Sequence, residues 1–177
     1  MKNQNLISKI FLYLAALTGI LWIGSYISRL ILSYQLFDGI DFTLRTYINN
    51  QNLPAIFTIL DAATILTFLV YAMFILFFTL FLVTSKISLR QNGWLFIVSL
   101  IIFLTLPFET YLMIIDYKTI MMINFGHFDQ ATLLSLYIKR FKILGSFPII
   151  EILSYFAVLF FSLFRPLTRI NIKQNEN

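Results

Sequence analysis

The chain has no cysteine, a single histidine and few charges. Without cysteine there is no disulfide, no thiolate metal site, no iron–sulfur cluster and no thiol nucleophile. With His127 as the only histidine, bis-histidine haem ligation within the chain is excluded. One His beside Asp129 does not make a metal site, so no metal and no cofactor is expected. G-x-S-x-G, H-E-x-x-H, a phosphate-binding glycine loop and an Asn-x-Ser/Thr sequon are all missing as well. The chain is therefore read as non-catalytic.

Charged residues make up 12% of the 177 positions, roughly half the share usual in a soluble domain. Hydrophobic residues make up 59%, and mean hydropathy is +0.85. These values describe an integral membrane protein in contact with a lipid bilayer. The richness in Phe, Ile, Asn and Lys fits an AT-rich genome, which favours a bacterial inner membrane, with an organellar membrane as the alternative. The net charge of +5 is assigned to the flanks of the spans, where basic residues set topology and meet anionic headgroups. No basic stripe with interleaved aromatics lies outside the spans, so no nucleic acid is expected as a partner.

The apolar runs define an all-α, polytopic fold with four transmembrane helices plus an interfacial amphipathic helix. A polar N-terminus (1–9) precedes a single transmembrane domain (10–165), and a polar tail closes the chain (166–177). Spans are expected at about 10–33, 55–84, 94–118 and 148–164. Lys2 and Lys9 ahead of the first run resemble a secretory leader. The run from Ile10 to Ser33 is too long for one, though, and has no small-residue cleavage site, so it reads as an uncleaved span. Asp38-Gly39 and Asn49–Asn52 are turn chemistry, with a short interfacial helix expected over Asp41–Ile48. In Gln130–Leu144, Leu134, Tyr137, Ile138 and Phe141 share a face while Lys139, Arg140 and Lys142 crowd elsewhere, the pattern of a helix lying in the interface. Gly145 to Pro148 breaks that helix. Ala15/Gly19 and Gly24/Ser28 on the first span permit close helix approach.

The residues that could carry chemistry are the acids inside the spans. Glu109 lies fifteen residues after Trp94, about 22 Å along a helix, and Glu151 fourteen before Arg165, about 21 Å, so the two share a depth. At about 100° per residue, Thr105, Glu109 and Asp116 share a face; so do Glu151, Tyr155 and Ser162, and so do Thr18, Trp22, Ser25 and Arg29. Asp61 lies near the Thr64, Thr67 and Tyr71 stripe. Polar stripes in a bilayer turn to other helices or to a wet cavity. This predicts a four-helix bundle with an intramembrane cluster of Arg29, Asp61, Glu109, Asp116 and Glu151, in which Arg29 or Lys118 tunes the acids and Arg29 is the expected partner of Glu109. The plainer alternatives make Glu151 a charge in the first helical turn and Glu109 a headgroup anchor or a contact to another subunit.

Three functional readings stay open. The first is an accessory or assembly subunit of a larger membrane complex, with a protein partner. The second is a small transporter or channel using Glu109 and Glu151. The third is a lipid- or quinone-handling protein.

Both termini are expected in the cytoplasm, since the short loop with Lys86 and Arg90 and the basic tail lie on their side, although Lys and Arg divide seven to six overall. With Asn50→Cys and Ser88→Cys made singly in this cysteine-free chain, an impermeant thiol reagent outside intact cells should label position 50 and spare position 88. The opposite pattern would invert the orientation.

Overall fold

The computed structural model describes residues 5–39, 41–126 and 128–168. The expected turn at His127, the first residues of the N-terminus and most of the polar tail lie outside the described residues. Five helices make up nearly all of the rest: α1 (Leu6–Tyr34), α2 (Leu53–Thr84), α3 (Gly93–Asn124), α4 (Gln130–Leu144) and α5 (Phe147–Phe164). All but α4 are long and apolar enough to cross a membrane. The helices α2 and α3 have 32 residues each, about 48 Å, against a hydrocarbon core of about 30 Å. α3 continues unbroken through Pro107, giving up one backbone hydrogen bond, a loss that membrane helices tolerate when neighbours compensate.

The most extensive pairing is α1 along α2. Gly19 permits it, because a Cβ there would come within 3.0 Å of the Phe74 ring. Ala15 is buried nearby, whereas Gly24 faces open space, so only the first of the two small-residue pairs works inside the chain. Around this pair lies an aromatic core of Trp22, Tyr71, Phe74, Phe78, Phe81 and Tyr155.

The fourth position of the bundle is filled by two helices in line. Side-chain pairs fix the register. On α1, Tyr34 meets Phe141 (4.5 Å between ring centroids) and Trp22 meets Tyr155 (4.4 Å). On α3, Asp116 meets Arg140, Phe108 meets Phe147 (5.0 Å) and Thr105 meets Tyr155. On α2, Phe57 stacks on Tyr137 (5.1 Å) and Phe74 meets Tyr155. As numbers rise along α4 and α5, partners fall along α1 and α3 and rise along α2. The two helices thus form one interrupted column, antiparallel to α1 and α3. Gly145 (φ 46°, ψ −107°) and Ser146 (φ −81°, ψ 0°) form the type II′ turn at the break, which needs glycine at its first central position.

Helix α4 is present over its expected bounds, and its apolar face is covered by protein. Leu133, Tyr137 and Phe141 pack with Leu36, Phe37, Ile48, Leu53, Phe57 and Leu60 in a second core that caps one end of the bundle. The buried stripe is rotated from the expected one: Leu134 and Ile138 are half-buried, and Arg140 is buried. Asp129 caps α4, accepting hydrogen bonds from the Thr132 hydroxyl and from the Thr132 and Ala131 amides, and these bonds hold its carboxyl below the usual range.

The expected short helix over Asp41–Ile48 does not form. Its place is taken by a hairpin of β1 (Phe37–Asp38) and β2 (Thr43–Leu44). Gly39 (φ 68°) and Phe42 (φ 56°) turn the chain, and Thr43 Oγ1 donates to the Asp38 carbonyl while Arg45 Nε donates to that of Phe37. Turn residues and side chain-to-backbone bonds compete with helix in so short a segment, and here they prevail. At the opposite end of the bundle, Gly93 N–H donates to the Leu167 carbonyl and Arg165 lies over the Trp94 ring.

Because no L-residue adopts the Gly145 backbone without strain, Gly145→Ala should destabilise the fold by about 1 kcal/mol or more. A thermal melt in mild detergent measures this; an unchanged midpoint would mean that the break is not held as described.

Candidate functional site

The acids and bases expected inside the bundle fall into three groups. The first joins three helices. Arg29, five residues before Tyr34 at the end of α1, faces Asp116 on α3: each stands 23 residues beyond the first residue of its helix, Leu6 and Gly93. Arg29 binds Asp116 with both guanidinium nitrogens, Nη1 to Oδ2 at 2.8 Å and Nη2 to Oδ1 at 2.5 Å. Arg140 on α4 adds Nε to Oδ1 at 2.8 Å. All three side chains are buried.

Glu109 and Glu151 form the second group, about two helical turns deeper. They are 1% and 0% exposed, so neither reaches lipid or bulk water. Glu151 neighbours Glu109 and Tyr26, yet neither of its oxygens has a hydrogen-bond partner of good geometry. Oε2 of Glu109 is likewise unpartnered, as are Tyr26 Oη, Tyr71 Oη and Trp22 Nε1. Trp22 packs these groups together, its ring centroid lying 5.3 Å from Tyr26, 4.9 Å from Tyr71 and 4.4 Å from Tyr155. The Tyr155 hydroxyl pairs with Thr105 Oγ1 at 3.3 Å.

The third group is Asp61, which accepts from Asn124 Nδ2 at 2.6 Å, with its other oxygen unpartnered. It ties α2 to the end of α3 and stays apart from the acid pair.

The expected juxtaposition of Glu109 and Glu151 is therefore present, and the expected Arg29–Glu109 pair is replaced by Arg29–Asp116. The physical reason is depth. Asp116 is level with Arg29, whereas Glu109 lies seven residues below it, about 10 Å. Glu109 and Arg29 act on each other electrostatically without touching, as do Glu109 and Arg140. Burial leaves Glu109 out of reach of headgroups, and Glu151 is the fifth residue of α5, just past its first turn. Lys118, proposed as a tuning charge, is exposed. Arg140 is the residue sequence reasoning missed. It stands three residues after Tyr137 on the buried stripe, a spacing that could have revealed it, but its neighbours Lys139 and Lys142 suggested a solvated face. Among the described residues no group of three or more His, Cys, Asp or Glu could hold a metal ion.

A carboxylate buried against two guanidiniums is far more costly to break than to build. Asp116→Asn strands two cations and should cost about 3–5 kcal/mol. Combining it with Arg29→Gln should cost clearly less than the two single losses together, while Glu109→Gln and Arg29→Gln should come closer to additivity. Detergent melts of these variants decide the pairing. Comparisons with family models, with curated proteins and with solved structures found no match to this chain.

Proposed function

We propose that the chain is a small membrane carrier whose acid pair, Glu151 with Glu109, takes up a proton beside the break in the fourth helix. The observation that carries this reading is Glu151 itself, fully buried, with both oxygens unpartnered. A bare carboxylate in a dry interior costs several kcal/mol, which a proton or a cation removes. Two guanidiniums stand within electrostatic reach of Glu109, but both already hold Asp116. Intramembrane acids of this kind serve proton and ion pathways. Interrupted helices supply the matching device elsewhere, placing helix ends and freed backbone at a site in the middle of the bilayer.

This is the second of the readings open to the sequence. The first, an accessory subunit, draws on a different surface. α5 turns Leu153, Phe156, Phe160 and Leu163 outward, and an apolar cleft of about 130 Å³ lies between α1 and α5, lined in part by Ala15, Ala16 and Gly19. Apolar side chains of a partner helix would fit there. The acids do not contribute to that surface, since they point inward.

Infrared spectra of the protein in lipid should contain a protonated carboxylic carbonyl band at neutral pH that is lost in Glu151→Gln. Liposomes carrying the chain and a trapped pH dye should pass protons faster than empty ones, and Glu151→Gln should abolish the difference while Asp38→Asn leaves it intact. Spectra without such a band, together with flux unaffected by Glu151→Gln, would refute the reading.

A further inference from the structure

Two contacts tie α2 to α3 at different levels. Toward the cap, Asp61 accepts from Asn124, and further from it the Phe78 ring meets Phe103 at 6.1 Å. Between these ties the pair leaves a groove of about 390 Å³ on its outer side. The groove follows α3 from Leu106 to Tyr117, eleven residues or about 16 Å. Its lining is apolar apart from Thr110 and the tyrosines Tyr71 and Tyr117. Tyr71 is 2% exposed, and its ring lies 4.9 Å from Trp22 on the inner side, so it separates the groove from the acids.

Depth says what covers this groove. Trp94, with Arg165 over its ring, marks one edge of the apolar layer. Tyr117 stands twenty-three residues further along α3, about 34 Å, against a hydrocarbon core of about 30 Å. Exposed residues at that level include Tyr117, Lys118, Lys139 and Lys142, all within one turn of the Asp116–Arg140 contact. Tyrosine and lysine gathered in this way mark a headgroup layer. The groove therefore opens sideways into one leaflet. Its length of about 16 Å matches the roughly 15 Å of chain depth in half the core, and its cap end reaches the headgroups.

The walls decide between a lipid and a helix. Helices in membranes meet on small residues, and the α1/α5 cleft has them in Ala15, Ala16 and Gly19. The α2/α3 groove has only Ala72 and Thr110, among large side chains such as Phe68 and Met113. Such walls admit a single narrow chain. Charge then selects the headgroup. Lys118 lies one turn beyond the lining residue Ile114, on the same edge of α3. Among the described residues the ion pairs are those of Asp116, so Lys118 has no carboxylate partner. Its neighbours three and four positions away, Ile114, Ile115, Met121 and Met122, are all apolar.

We propose that the groove holds one acyl chain of an anionic phospholipid. The phosphate sits at Lys118, and the chain runs along Met113, Thr110 and Leu106 toward the Phe78–Phe103 contact. The lipid fills the gap between α2 and α3 and stands one aromatic ring away from the acids.

The test adds phospholipids to the full chain in mild detergent and counts those retained by native mass spectrometry. Dioleoyl phosphatidylglycerol should be retained at one per chain. Dioleoyl phosphatidylcholine, with the same chains and a neutral headgroup, should bind more weakly, and glycerophosphoglycerol, the headgroup without chains, should not bind. Ala72→Phe, at an exposed position, should fill the groove and remove the retained lipid, whereas Ala16→Phe in the α1/α5 cleft should keep it. Lys118→Gln should weaken phosphatidylglycerol about fivefold, the share of one lysine near an anionic surface, and leave phosphatidylcholine unchanged. A second readout leaves the groove unaltered. With Trp94→Phe, Trp22 is the sole indole, 1% exposed and adjacent to Tyr71. In bilayers, chain-brominated phosphatidylglycerol should quench it more than equally brominated phosphatidylcholine. Retention unchanged in Ala72→Phe, or phosphatidylcholine held as tightly as phosphatidylglycerol, would overturn the proposal. So would a lipid-free dimer that Ala72→Phe dissociates, which would give the groove to a second copy of this chain.

Discussion

The contact on which the rest of the architecture depends is Asp116 held between Arg29 and Arg140. It is the polar joint of α1, α3 and α4, and it is buried on all sides. In water such a joint would be worth little. Buried between helices long and apolar enough to cross a bilayer, the three charges have no water to turn to, so the pairing ties the depth and rotation of each helix to the others. It also explains why α4 stands beside α3. Once Arg140 is committed to Asp116, the Leu133, Tyr137 and Phe141 stripe faces the start of α2 and the hairpin, where it closes the second core.

The four long helices were legible in the sequence because span detection depends on length and apolar content alone. Their ends were less so. α1 begins at Leu6, ahead of the apolar run, whereas α3 does follow the apolar pattern past Asp116 to Asn124, where Met122 and Ile123 pack under the cap. The hairpin was unreadable as strand: two residues on each side leave no alternation to detect, and its backbone is set by Gly39, Phe42 and the Arg45 contact. Within the site, the inward stripes and the Glu109–Glu151 juxtaposition followed from helical periodicity. The choice of partner for Arg29 did not. Periodicity fixes faces, whereas partner choice depends on the relative height of two helices, which local sequence does not encode. Arg140 was hidden for a related reason, because a long basic side chain beside two lysines has the same pattern whether it faces water or reaches a buried acid.

The break at Gly145 has consequences for the acid pair. α5 has 18 residues, about 27 Å, too few to run the full length of α3, so α4 completes the column. Glu151 therefore sits one turn inside a helix that begins partway along α3, at a break whose Gly145 and Ser146 are exposed on the outer side. A full-length fourth helix would have placed this position in mid-helix with all backbone groups paired. The interruption instead brings a helix start, Phe147 against Phe108 and the end of α4 to the depth of Glu109. Polar atoms without partners gather at this level, among them Tyr26 Oη, Tyr71 Oη and the Glu151 oxygens.

The polar column is also one-sided. From the cap inward it passes Asp116, Arg29 and Arg140, then Glu109, Glu151 and Tyr26, and ends at the Thr105–Tyr155 pair. Beyond that pair the core is mainly apolar, with Ile102, Val98, Leu95, Phe78 and Phe81 packed through to Trp94 and the buried Thr18 and Ser99 hydroxyls bonded to carbonyls of their own helices. Water approaching the acids from the uncapped end would have to part this packed core, in which Phe81 and Leu95 are 0% and 1% exposed. Water approaching from the other end meets α4, a 15-residue helix tethered by a short loop on one side and a glycine turn on the other. Packed apolar interiors resist opening, since every contact is lost together. A short helix held by one buried ion pair and one aromatic stripe opens more readily than the bundle beneath it. On the cap side the polar tie between α4 and the bundle is Arg140, which lies on α4 and binds Asp116 on α3.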